Sequence, residues 1–268
     1  MSGVTADLVL APARAIRRAT IIWAAAFALL IAATVSVWPE FKGRSAISQA
    51  MDQLPQGIVQ AFGLQGFGTP AGFLRGNLYD FFVPLLLAGV AVFFINSVTA
   101  SEEDAGRLEL IFAQPVARRA VFAGRAAAAL LALLVLAVVT ALVQFAIDAP
   151  MGLSIDAGRL GATLLLCVLL AAFHGGLTLA VAGLSPRPSL ALGVGLGVLI
   201  AGMVAAAVLP LSQSLHPFAH ISPWDWAFGG DPLVNPTETW RYLALGLPAA
   251  AMAAFGVWAF GRRDIRAG

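Results

Sequence analysis

Six apolar stretches constrain this chain most, each long enough to cross a bilayer as a helix: near Ala19 to Trp38, Phe81 to Thr99, Val121 to Ile147, Leu160 to Leu184, Leu190 to Leu211 and Tyr242 to Phe260. A hydrocarbon core of roughly 30 Å needs about 20 helical residues. Inside it every backbone N–H and C=O must find a partner within the protein, which an α-helix provides for itself. The pattern therefore predicts an all-α integral membrane protein of six transmembrane helices. Charged residues make up 11% of the chain, against about 25% in soluble domains. Only SPRPS separates the fourth stretch from the fifth, so those two form an antiparallel hairpin.

The placement of Lys and Arg sets the orientation, because basic residues are retained on the cytoplasmic side. With the N-terminus inside, the inner segments hold eleven: Arg14, Arg17, Arg18, Arg107, Arg118, Arg119, Arg125, Arg187, Arg262, Arg263 and Arg266. The outer ones hold five: Lys42, Arg44, Arg75, Arg159 and Arg241. Both termini are thus expected in the cytoplasm. Trp38, Tyr79, Trp224, Trp226, Trp240 and Tyr242 fall beside outer ends, where amphipathic rings favour the headgroup layer. A formal charge of +2 gives no basis for a nucleic-acid surface. The single Cys167 allows neither an internal disulfide nor a thiolate cluster, and no metal site is expected.

Three segments lie outside the spans. Residues 1–18 suit either an interfacial helix or a frayed tail, ahead of one transmembrane domain over 19–268. The first apolar stretch reads as a retained span and not as a cleaved signal. Residues 39–78 form an external loop whose Ile47, Met51, Leu54, Ile58, Val59 and Phe62 would lie along the membrane surface. Residues 212–238, with four Pro, several aromatics and no Lys or Arg, form a second external loop suited to short half-inserted helices.

The inner connection between the second and third spans, Ser101 to Arg125, carries the functional signal. Ser101 and Asp104 have capping-box spacing, and Glu102 and Glu103 complement the positive end of a helix starting there. Leu108, Ile111 and Phe112 share one face at i, i+3 and i+4, and Pro115 ends the helix. Residues 102–109 hold four acids and one Arg on the side where basic residues dominate. Such a helix is either a docking surface for another protein or a solvated connector resting its apolar face on the membrane.

Glu102-Glu103-x-x-Gly106-x-Leu108-Glu109-Leu110, followed by Pro115, Arg118 and Gly124-Arg125, resembles the signature of membrane subunits of type 2 ATP-binding-cassette exporters. LPQGIVQAFGL, SPWDW and GGDPL resemble the same family. Arg107 stands where Thr is usual and Ala117 where Ser or Thr often precedes the Arg, so neither takes a family role. The resemblance implies a coupling helix within 101–119, seated in a groove of a soluble ATPase subunit. Glu102, Glu103, Gly106, Leu108, Glu109, Phe112, Pro115 and Arg118 would make that contact. It further implies a second copy or homologue of the chain, a bacterial cytoplasmic (inner) membrane, and ATP with Mg held by the partner and not by this chain. Phe82, Phe93, Phe94, Asn96 and Met203, on the second and fifth spans, would line the substrate path.

Other classes fit less well. The phosphate-binding GxxxxGK[ST] loop is missing, and Lys42 is in an external segment. No acid is central in any span, as an ion-driven transporter would require. GxSxG and HExxH do not occur, and Pro217 interrupts the His216–His220 pair. His174 is the one readily ionisable group well inside a span, more readily a hydrogen-bonded packing residue than a relay. Gly193 and Gly197 have GxxxG spacing, which serves packing within one chain or dimerisation. The alternative to a non-catalytic exporter subunit is a membrane scaffold or receptor whose acidic loop docks another protein.

Overall fold

The computed structural model describes residues 2–42, 66, 68–113, 115–212 and 214–263. Ile47, Met51, Leu54, Ile58, Val59 and Phe62 lie outside the described residues, as do Arg44 and Arg266. Six helical segments are long and apolar enough to cross a membrane: Leu8–Phe41, Pro70–Asp104, Arg118–Met151, Ala157–Leu184, Pro188–Leu211 and Thr239–Phe260. Each contains one of the stretches read from sequence. The principal helices are α1 (Ser2–Ser36), α2 (Phe82–Val98), α3 (Ala100–Asp104), α4 (Arg107–Phe112), α5 (Arg118–Met151), α6 (Ala157–Leu184), α7 (Pro188–Val208), α8 (Pro223–Phe228) and α9 (Thr239–Phe260). No strand occurs among the described residues.

Helix α6 is the hub, packing on α9, α2, α7 and α5, while α1 lies along α5. Small residues permit the closest crossing: a Cβ at Gly183 would overlap the Gly256 carbonyl. Side-chain hydroxyls inside the bundle return to their own helix, with Thr140, Thr163 and Thr178 donating to the carbonyls of Leu136, Arg159 and His174. That arrangement suits a medium with no water to replace a missing bond. The outer faces carry Ile22, Leu29, Leu142 and Leu247, each more than 60% exposed. Contiguous apolar surface of this kind is stable only against lipid or another protein.

Local chemistry revises several boundaries. Residues 1–18 are read as an interfacial helix or a frayed tail; from Ser2 onward they are helical and continuous with the first span in α1, with Pro12 inside the helix. Residues 70–78, read as part of the external loop, are helical together with Tyr79: the Thr69 side chain caps the Gly72 N–H, Pro70 occupies the first turn, and a π-type turn follows over Arg75–Tyr79. Residues 212–238 include the short helix His216–Ala219 and α8. Ser222 Oγ accepts from the Trp224 N–H and donates to the Gly202 carbonyl, tying this segment to α7.

Trp38, Tyr79 and Trp224 are not interfacial rings: all three are buried. Trp224 Nε1 donates to the Asp80 carbonyl at 3.1 Å, and Tyr79 donates to Gln144 Oε1 at 3.3 Å. Arg75, counted in sequence only as an outer charge, is buried and bridges Asp80 at 3.3 Å and Asp231 at 2.8 Å. This cluster binds the 212–238 segment to the second span at one end of the bundle. The start of α1, the α2–α5 connector and the end of α9 meet at the opposite end.

Candidate functional site

The connector is built from a backbone break at each side. Thr99 leaves the helical region (φ −122°, ψ −94°), and its carbonyl accepts from the amides of Glu102 and Glu103. Ala100 is therefore the first helical residue, one earlier than expected. Ser101 does not cap: its Oγ accepts a 3.1 Å bond from Asn96 Nδ2. The single helix read over Ser101 to Gln114 is split into α3 and α4 at Gly106, whose φ of +70° is left-handed. No atom would lie within 4 Å of a Cβ there. Gly106 is required by its backbone and not by a contact, since a side chain costs about 1–2 kcal/mol in that conformation.

The acidic residues divide into two pairs with different roles. Glu102 Oε1 accepts from Arg107 Nε at 2.9 Å and Nη2 at 2.6 Å, closing the kink around Gly106. This bond raises the Arg107 guanidinium pKa further above its ordinary value. The second Glu102 oxygen lies 3.9 Å from Arg125 Nη1. Glu103 points inward, its side chain 3% exposed, and accepts from Arg263 Nη2 at 2.5 Å. Asp104 and Glu109 are exposed.

The apolar residues divide likewise. Leu108 is fully buried and Ile111 and Phe112 are half-buried, so the i, i+3, i+4 stripe faces this chain's own bundle. Phe112 lies 6.1 Å from Phe260, which stacks on Phe122 at 4.2 Å. Arg118 sits over the Phe112 ring and donates to the Arg263 carbonyl at 3.1 Å. Connector and α9 terminus are thereby clasped through an ion pair, an aromatic stack and a side chain-to-backbone hydrogen bond. Pro115 is exposed in the turn into α5.

Leu110 stands in the motif read from sequence, but is given no contact role there. It lies about 200° around the helix from Leu108 and is 75% exposed, between exposed Glu109 and Ala113. An apolar side chain on the face opposite an inward stripe was the available signal. The outward surface of the connector is thus Asp104, Glu109, Leu110 and Ala113, whereas Glu103 and Leu108 belong to the inner one and Arg107 turns toward Glu102.

A family model described as ABC-2 family transporter protein matches residues 13–265. The chain belongs to the ABC-2 transporter family. No curated protein matches it. The ABC-2 permease is accordingly a multi-pass membrane component of a transporter, and such components are typically not catalytic themselves.

The five residues expected along a substrate path are not brought together within this permease chain. Phe94 and Asn96 are buried in the bundle, Phe82 and Phe93 are 45% and 50% exposed on its outside, and Met203 is half-buried. Consecutive helical residues diverge by about 100°, so Phe93 turns to the outside of α2 while Phe94 turns into the bundle. Gly193 and Gly197 face outward, with open space where a Cβ would be; they pack no helix among the described residues. Gly195 meets Thr178 and Val92 instead. His174 is buried, with no hydrogen-bond partner for Nδ1 among the described residues. His220 Nδ1 pairs with Asp225 Oδ2 at 2.9 Å.

Proposed function

We propose that the chain is the permease subunit of an ATP-binding-cassette exporter, moving a lipophilic substrate such as a drug, antibiotic or lipid with energy from a separate ATPase subunit. Membership of the ABC-2 family supports the transporter role, and the exposed Leu110, flanked by Glu109 and Asp104 on a connector braced from behind, carries the docking role. An exposed leucine within a polar rim offers apolar area that a docked partner would remove from water. Glu102, Glu103, Gly106, Leu108, Phe112, Pro115 and Arg118 then contribute by holding the connector's shape, while Glu109 remains a contact.

ATP and Mg belong to the ATPase subunit in this scheme. Closure of an ATPase pair pushes on α4, and the clasp passes that movement to α9 as well as to α2 and α5. Helix α9 crosses α6 at Gly183 and Gly256, so its displacement reaches the centre of the bundle. The connector end, with ten of the described basic residues, faces the cytoplasm of a bacterial inner membrane. A second copy or homologue meets the outward face of α7 at Gly193 and Gly197, where helices can approach closely. Exposed Phe82 and Phe93 then line a path between two chains and not within one.

Co-purification decides between this and a scaffold or receptor. The full chain should retain a P-loop ATPase encoded by a neighbouring reading frame, and Leu110→Arg should release it while leaving the unfolding midpoint unchanged. A wild-type chain that holds no ATPase overturns the proposal. An ATPase equally retained by Leu110→Arg overturns the assignment of the docking face.

A further inference from the structure

A cleft of about 680 Å³ opens between the start of α1 and the connector. Its walls combine apolar Leu8, Pro12, Ile16 and Val121 with Arg107 and Arg125. The volume falls within the roughly 300–1,000 Å³ of ordinary small-molecule sites. Arg125 is 6% exposed, and its Nη1 donates to the Val98 carbonyl. Its Nε and Nη2 have no hydrogen-bond partner among the described residues. Glu102 is the acid on the lining, so two guanidinium groups against one carboxylate leave a net positive charge.

A guanidinium whose remaining donors open onto a cleft can take an anionic acceptor, and phosphate geometry suits it because two parallel N–H groups can meet two oxygens. The apolar wall along α1 adds a surface for hydrocarbon at the same place. From these features we infer that the cleft binds an anionic phospholipid, its phosphodiester on Arg125 and Arg107 and its acyl chain along Leu8, Pro12 and Ile16. Phosphate and Glu102 compete for the same guanidinium groups. Occupancy therefore alters the pairing that closes the Gly106 kink and makes the connector's shape responsive to the lipid around it.

The test uses the purified full-length chain in nanodiscs of phosphatidylcholine containing a minority of phosphatidylglycerol, with lipid retained after re-extraction counted by mass spectrometry. Wild type should keep phosphatidylglycerol well above its share of the disc. Arg125→Gln should lower that retention about tenfold, the worth of one charge-assisted hydrogen bond of roughly 1.5 kcal/mol. Ala15→Phe, from an exposed position on the cleft wall, should do the same without touching a charge, which separates loss of the site from misfolding. Retention in proportion to disc composition, or retention unaffected by both variants, overturns the inference. So does stabilisation by inorganic phosphate alone with no lipid retained, which would mark a simple anion site. These readouts need no ATPase and stand whichever protein seats on the connector.

Discussion

Breaking the Glu103–Arg263 pair should destabilise the protein unequally from its two sides. The Glu103 side chain is 3% exposed and that of Arg263 18%. Glu103 Oε1 already has no partner among the described residues. Arg263→Met strands a buried carboxylate, which costs about 3 kcal/mol, the lower end for a broken buried pair because the site lies at an end of the bundle. Glu103→Met leaves a guanidinium that lies over Phe260 at 5.5 Å and retains some water, so about 1–2 kcal/mol is expected. Replacing both removes both orphaned charges, and the double variant should be more stable than Arg263→Met alone. The coupling energy should reach about 2–3 kcal/mol. Titration with SDS in mixed micelles, followed by tryptophan fluorescence, reads all four forms. Additive effects within about 0.5 kcal/mol, or a Glu103 variant weaker than the Arg263 one, would refute the argument that this pair clasps the connector to α9.

Other consequences follow from the same geometry. Gly106→Ala should destabilise by about 1–2 kcal/mol, and Gly106→Asn by less, because Asn tolerates left-handed backbone; unfolding midpoints check both. Gly183→Leu should abolish monodisperse elution, since its side chain would occupy the position of the Gly256 backbone. Gly197→Leu, on the open face of α7, should leave the fold intact and weaken only self-association, read by cross-linking in the membrane. Arg75→Met should lower stability by about 3 kcal/mol, because Asp80 and Asp231 both lose their shared cation.

The spans were legible because hydrocarbon forbids most alternatives: a run of about twenty predominantly apolar residues has one way to satisfy its backbone. Their ends were less so. Residues 70–79 contain Gly72, Arg75, Gly76 and Asn77, and partners distant in sequence, Asp231 for Arg75 and Gln144 for Tyr79, make that stretch part of the bundle. In the connector, the acidic run and the inward stripe were visible, but helical periodicity could not reveal which carboxylate faces Arg263, more than 150 residues away. The kink at Gly106 was equally hidden, since a glycine inside a helical pattern signals weakness without saying whether the chain turns there. Trp38 and Tyr79 misled for the opposite reason. Their position at span ends fits an interfacial ring, whereas tertiary packing encloses them, Trp38 against Phe73 and Tyr79 against Gln144.

The central claim is that the outward face of the connector, and Leu110 in particular, seats an ATPase. Maleimide labelling of Leu110→Cys tests it most directly, against a Cys167→Ala background. In the purified chain the thiol should react rapidly, and addition of the soluble ATPase should protect it, while Glu103→Cys should react slowly in both states. Unprotected labelling at position 110 in a complex that hydrolyses ATP would contradict the account.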